Sequence, residues 1–173
     1  MLMAENTLQL TPSESVTIRA SSQEVLSVEA TYGPKGKPPP KHFHPQQDER
    51  FEVMEGTLRV KIGDDDLRLS PGDEIVIPRG VTHQMWNPGD VPARARWETT
   101  PRGRTERWFR DIAKLQSASG DGKPGTLAYA VLVREYRDTF RLAAGPPGLA
   151  RGGVAALARL GRLFGRSPHP AGD

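Results

Sequence analysis

The sequence predicts a mainly β fold, a barrel or sandwich of short strands, followed by two or three C-terminal α-helices. Three observations carry this. Apolar residues alternate with polar ones through the first hundred positions. Turn sequences interrupt that alternation at short intervals. After Pro101 the apolar spacing changes from two residues to three and four.

The alternating runs are Leu26, Val28, Ala30, Tyr32; then Leu58, Val60, Ile62; then Leu67, Leu69; then Ala93, Ala95, Trp97. A two-residue period places every second side chain on one face of a strand. Gly33-Pro34, Pro38-Pro39-Pro40, Gly56, Gly63-Asp64, Pro71-Gly72-Asp73, Pro78-Arg79-Gly80 and Pro88-Gly89-Asp90 separate the runs. No intervening stretch is long enough for a crossover helix. Beyond Pro101, Trp108, Phe109, Ile112 and Leu115 fall at helical spacing. A second helix is expected over 126–142, with Leu127, Ala130, Val131, Tyr136 and Phe140 inward. A third is expected near 149–164, with Arg151, Arg159 and Arg162 on another face and a frayed tail after it. The division predicted is therefore a β unit over 1–100 and a helical extension over 101–173.

A chain of 173 residues can bury a core without staples, and with no cysteine it has none from disulfides. Thiolate metal sites and cysteine nucleophiles are excluded on the same ground. The first residues show no basic, apolar leader, so a soluble cytoplasmic protein is expected. The net charge of +3 is uneven. Residues 1–100 carry 11 Lys+Arg against 15 Asp+Glu, and residues 101–173 carry 13 against 6. A basic tail can meet nucleic acid or an anionic membrane. No nucleic-acid motif accompanies the charge, so a solvated helical surface is the simpler reading and no nucleic-acid partner is expected. Arginines interrupt the 149–164 stretch, which makes it a poor membrane span, and a membrane-surface role is the lesser alternative.

The chemistry is expected at four residues. His42 and His44 stand two apart on a predicted strand, so both imidazoles project to one side. Glu49 alternates with Phe51 and Val53, which puts a carboxylate on an apolar face, costly unless a cation meets it. His83 opens another short strand after the Pro78-Arg79-Gly80 turn. A single histidine is more often a structural residue than a ligand. Here three of the four histidines join one constellation, and His169 alone lies outside it. Three imidazoles and a carboxylate suit one divalent transition-metal ion (Fe, Mn, Ni, Co or Zn) better than Ca²⁺ or Mg²⁺.

The spacing of these residues resembles a known family. Gly36, five residues, His42-Phe43-His44, four residues, Glu49, six residues, Gly56 is similar to the first cupin motif. Gly72, five residues, Pro78-Arg79-Gly80, two residues, His83, three residues, Asn87 is similar to the second. Fifteen residues part the two motifs, as in small single-domain cupins. The resemblance spans about 20–100, with its motifs over 36–87. It implies a jelly-roll barrel with a metal in its mouth, and it leaves the segment after Pro101 unexplained.

The expected inward set, Phe51, Val53, Leu58, Val60, Ile62, Ile75, Ile77, Met85, Ala95 and Trp97, is apolar. No second inward carboxylate is predicted, and Gln84, Arg79 and Tyr32 are polar candidates without a place. The site resembles that of quercetin dioxygenases, which implies that Glu49 doubles as a catalytic base. The expected activity is thus oxygenation of a small phenolic or diketone-like molecule, and the alternative is a non-catalytic metal-containing binding or sensing module. A small-molecule ligand and a homodimer are the expected partners.

Overall fold

The computed structural model describes residues 6–120, 125–143 and 169–170. Along the chain run β1 (Thr7–Thr11), β2 (Glu14–Ser21), β3 (Leu26–Tyr32), β4 (His42–Phe43), β5 (Asp48–Glu55), β6 (Leu58–Ile62), β7 (Asp65–Leu69), β8 (Glu74–Ile77), β9 (His83–Trp86) and β10 (Ala93–Thr100). Then come α1 (Thr105–Ser117), α2 (Thr126–Glu135), β11 (Arg141–Leu142) and β12 (His169–Pro170). Two six-stranded antiparallel sheets result, in the orders β1-β2-β3-β10-β5-β8 and β11-β4-β9-β6-β7-β12. This is the mainly β, two-sheet barrel with C-terminal helices that the sequence predicts.

The alternation fills the space between the sheets. In β3, Leu26, Val28, Ala30 and Tyr32 are buried and the residues between them are half-buried. Every member of the expected inward set is buried. Gly56 turns β5 into β6 at φ +72°, and a side chain there would meet the Pro92 carbonyl at 2.7 Å. Only glycine fits both demands. Asn87 ties down its turn by donating to the Tyr32 and Val91 carbonyls and accepting from the Gly89 N–H.

α1 buries Trp108, Phe109 and Ile112 as its spacing predicts, with Thr105 and Gln116 beside them. Gln116 Nε2 donates to the Leu10 carbonyl at 2.7 Å, which fastens the helix to β1. The second helix departs from expectation. It ends at Glu135, buries none of its residues, and leaves Leu127 and Val131 exposed. Tyr136 and Phe140 are buried as expected, but from the turn beyond the helix and from the residue just before β11. Packing of both rings against Trp108, and pairing of β11 with β4, outweigh helical periodicity there. The expected third helix lies outside the described residues. Among the described residues no helix is long and apolar enough to cross a membrane.

Candidate metal centre

Three strands from both sheets bring the predicted residues together. β4 carries His42 and leads directly to His44. His42 pairs in register with His83 at the head of β9. Glu49 sits in β5 of the other sheet, between Thr99 and Ile77. Ring centroids lie 4.4 Å apart for His42–His83, 5.5 Å for His42–His44 and 5.7 Å for His44–His83. One ring nitrogen from each falls within 4.8 Å of the others. His44, His83 and Glu49 are buried, and His42 is half-buried.

Each imidazole is oriented by a backbone carbonyl. Nδ1 of His42 lies 3.0 Å from the Pro40 oxygen, Nδ1 of His44 2.7 Å from Thr139, and Nδ1 of His83 3.0 Å from Val81. A carbonyl only accepts, so Nδ1 carries the proton in each neutral ring and Nε2 is left with a lone pair. Those lone pairs face a carboxylate. His44 Nε2 is 3.2 Å from Oε1 of Glu49, and His83 Nε2 is 3.1 Å from Oε2. With the rings in this tautomer neither Glu49 oxygen has a hydrogen-bond donor.

Acceptors facing acceptors in a buried site need a proton or a cation between them. Protons serve poorly. Burial, reinforced by the charges of His83 and His44, holds His42 down at about 3. Burial likewise lowers His44, outweighing the pull of Glu49. Only His83 is raised: burial depresses it, but the hydrogen bond that its protonated ring would donate to Glu49, and the charge of Glu49, prevail. Burial pushes Glu49 itself up, and His44, His83 and His42 overcome that to hold it at about 2, so it is ionised at neutral pH. A divalent cation is the one species that could satisfy all four groups at once. The donor set, three imidazole nitrogens and a carboxylate, fits a first-row transition metal.

The surroundings hold features that sequence spacing did not reveal. Thr139 and Phe140 come from the extension. The Phe140 ring stacks on His42 at 5.0 Å and 27° and meets His44 edge-on at 5.9 Å. A second inward carboxylate exists, against expectation. Glu14 opens β2 opposite Tyr32, on the face that carries buried Val16. Glu14 as a whole residue is half-buried, yet burial dominates at its carboxyl group and, with repulsion from Glu49, pushes it up to about 7. The alternation Glu14, Val16, Ile18 was the available signal. Tyr32 points inward too, its hydroxyl 3.7 Å from the Met85 sulfur. The other polar candidates face elsewhere: Arg79 pairs with Asp48, and Gln84 donates to the Pro39 carbonyl. His169 stands in β12, at the opposite edge of its sheet from β4.

Comparison with known proteins agrees with this architecture. Residues 28–97 match the sequence profile of the family described as a cupin domain. The match takes in His42, His44, Glu49 and His83 and stops short of the helical extension. The chain is similar to an oxidoreductase of Arthrobotrys oligospora, 48% identical over 52 residues, which cover 30% of this chain and 21% of that one. It is similar also to the tetracenomycin polyketide synthase protein TcmJ of Streptomyces glaucescens, 33% identical over 60 residues, covering 35% of this chain and 40% of that one. The matches thus span between about a fifth and two-fifths of these relatives' lengths. In fold it is similar to KdgF from a Halomonas species, with a TM-score of 0.55 at 21% identity, covering 61% of this chain and 96% of that one.

Proposed function

We propose that the protein holds one divalent transition-metal ion through His42, His44, His83 and Glu49, and that it oxygenates a small, largely apolar molecule bearing a hydroxyl or carbonyl oxygen. The observation that carries the metal is the buried confrontation of imidazole lone pairs with a donorless carboxylate. When bound, such an ion supplies open coordination positions and Lewis acidity toward an oxygen-bearing ligand. The chain supplies the rest. Three backbone carbonyls hold the imidazoles in the ligating tautomer. Glu49, ionised, accepts a proton from the ligand hydroxyl. Phe51, Val53, Ile75, Ile77 and Met85 make the interior apolar, and an apolar wall leaves the polar groups of a sugar unpaired. Similarity to an oxidoreductase and to a polyketide synthase protein supports redox chemistry on a phenolic or polyketide-like molecule. A homodimer in the cytoplasm belongs to the same reading.

The test is oxygen uptake by Fe(II)- or Mn(II)-loaded protein offered phenols, flavonoids and diketones. Consumption of oxygen with formation of an oxygenated product is the expected result. Reversible binding of these compounds with no oxygen consumed by any of them would replace the oxygenase with a binding module.

A further inference from the structure

Resting on the metal reading above, we propose that residues 136–142 of the C-terminal extension are a working part of the metal centre: Thr139 and Phe140 position His44 and His42.

The strand that presents these histidines cannot hold them alone. β4 has two residues, and its register with β9 is the single pair His42–His83. Its other flank is the extension. β11 pairs with it as Arg141–Phe43 and Leu142–His42, and the Ala143 N–H donates to the Lys41 carbonyl at 2.8 Å. So short a strand is marginal unless paired on both sides. The extension thereby fixes the backbone from which His42 and His44 project.

It also fixes the rings. His44 is the one ligand candidate whose Nδ1 partner comes from outside the barrel strands and their loops: the Thr139 carbonyl, in a fully buried residue. His42 and His83 use carbonyls two residues away in their own loops. A ligand imidazole's outer hydrogen bond sets which nitrogen can meet a metal and where it points. Phe140 lies flat against His42, and Trp108 lies flat against Phe140 at 5.1 Å and 17°. His42 is the most exposed of the three histidines, so this stack is its main restraint on that side.

The segment is itself anchored. The Tyr136 hydroxyl donates to Asp111, and the Tyr136 ring meets Trp108 at 5.4 Å and lies under the Arg104 guanidinium at 4.3 Å. Arg104 also bonds Glu135 and Asp138. Next to Trp108 in α1, Phe109 packs on Trp97, which stacks on Phe51, two residues from Glu49. The extension therefore reaches the centre along two aromatic runs, and the boundary near residue 100 divides the chain in sequence rather than in function. Phe140 is a positioning residue.

The test uses the full chain and Co(II), whose visible absorption reports coordination geometry, with affinity read by chelator competition. Phe140→Ala is expected to raise the Co(II) dissociation constant by about tenfold or more, the usual range for outer-shell partners of ligands. It should also shift the visible bands. Phe140→Tyr, which keeps the stack, should restore both, and exposed Leu127→Ala should change neither. Phe140→Leu keeps apolar bulk without a ring and decides the matter if Phe140→Ala does not fold. Wild-type affinity and bands in the foldable variant would overturn the proposal while leaving the metal reading intact. Failure of the wild-type chain itself to take up Co(II) would remove both.

Discussion

The two faces of β5 treat the same chemistry in opposite ways. Outward, Arg50 makes a two-pronged contact with Glu74, 2.7 Å at each prong, and reaches Glu98 at 3.0 Å. Glu52 takes Arg96 at 2.6 Å, and Arg94 bridges Glu29 and Glu55. Each of these carboxylates has a guanidinium, and all keep some contact with water. One residue inward, Glu49 is buried and meets only imidazole lone pairs. Glu14, whose carboxyl group also turns inward, meets no cation among the described residues. An exterior carboxylate is satisfied by the chain that folds it. Buried Asp73 is satisfied by the Ser70 N–H at 2.8 Å, whereas Glu49 and Glu14 need a proton or something the chain binds. The difference marks where to look for function.

The largest way to break this contrast is to remove the ligands. His42→Ala with His44→Ala should abolish stoichiometric metal uptake, measured by elemental analysis after reconstitution. The metal-induced rise in unfolding free energy, about 2.7 kcal/mol at a metal concentration a hundred times the Kd, should vanish with it. Protons compete for the same lone pairs. In the wild type affinity should therefore fall as pH drops, with proton competition beginning at the one histidine held above the ordinary value of about 6.5. His83, the one raised histidine, should protonate first. An affinity flat from pH 7 to pH 5 would rule out ligation by His83.

Glu49→Gln comes next. It removes the base but leaves three imidazoles. Turnover should fall by at least about a hundredfold, and metal affinity by less than in the double histidine variant. Equal losses in both would make Glu49 a ligand only.

Glu14 sharpens the contrast through stability. Its carboxyl sits at about 7 in the folded chain against an ordinary 4.5. Between those pH values the folded state binds more protons than the unfolded state. Stability therefore falls as pH rises from 4.5 to 7, and the loss is complete above 7. Glu14→Gln should accordingly be more stable than the wild type at pH 8, by roughly 1–3 kcal/mol, and indistinguishable from it at pH 4. Urea midpoints at the two pH values measure this. A gain of equal size at pH 4 would mean that the effect is not electrostatic.

Most of this fold was legible because alternation is a local signal. Phe51, Val53, Ile75 and Ile77 announce an inner face whatever lies across from them, and all four are buried. His42, His44, Glu49 and His83 were legible for the same reason: strand parity and turn position define each one separately. Thr139 and Phe140 were not. A backbone carbonyl has no residue type to read, and Phe140 stands 98 positions from the histidine it stacks on. Its helical spacing was real, but the tertiary contacts of Tyr136 and β11 overrode it. Glu14 was passed over because one carboxylate at a hairpin reads as a solvated end, although it alternates with Val16 and Ile18, and its register with Tyr32 turns it inward.

The smallest expected effect lies on the outer face, where the contrast predicts almost nothing. Arg50→Ala strips Glu74 and Glu98 of their shared partner, but both carboxylates remain in reach of water and pay no burial penalty. Arg50 itself is 40% exposed, so solvent screens the pair. Half-exposed ion pairs are worth about 0.2–1 kcal/mol, and the two-pronged geometry favours the upper end. The loss on Arg50→Ala should therefore stay near 1 kcal/mol by urea denaturation. It should shrink in 1 M salt, where the Debye length is about 3 Å. Metal affinity should not change, although Arg50 is the direct neighbour of Glu49 in the chain. A change of tenfold or more in metal affinity would show that the two faces of β5 are coupled, and the separation of roles by strand parity would fail.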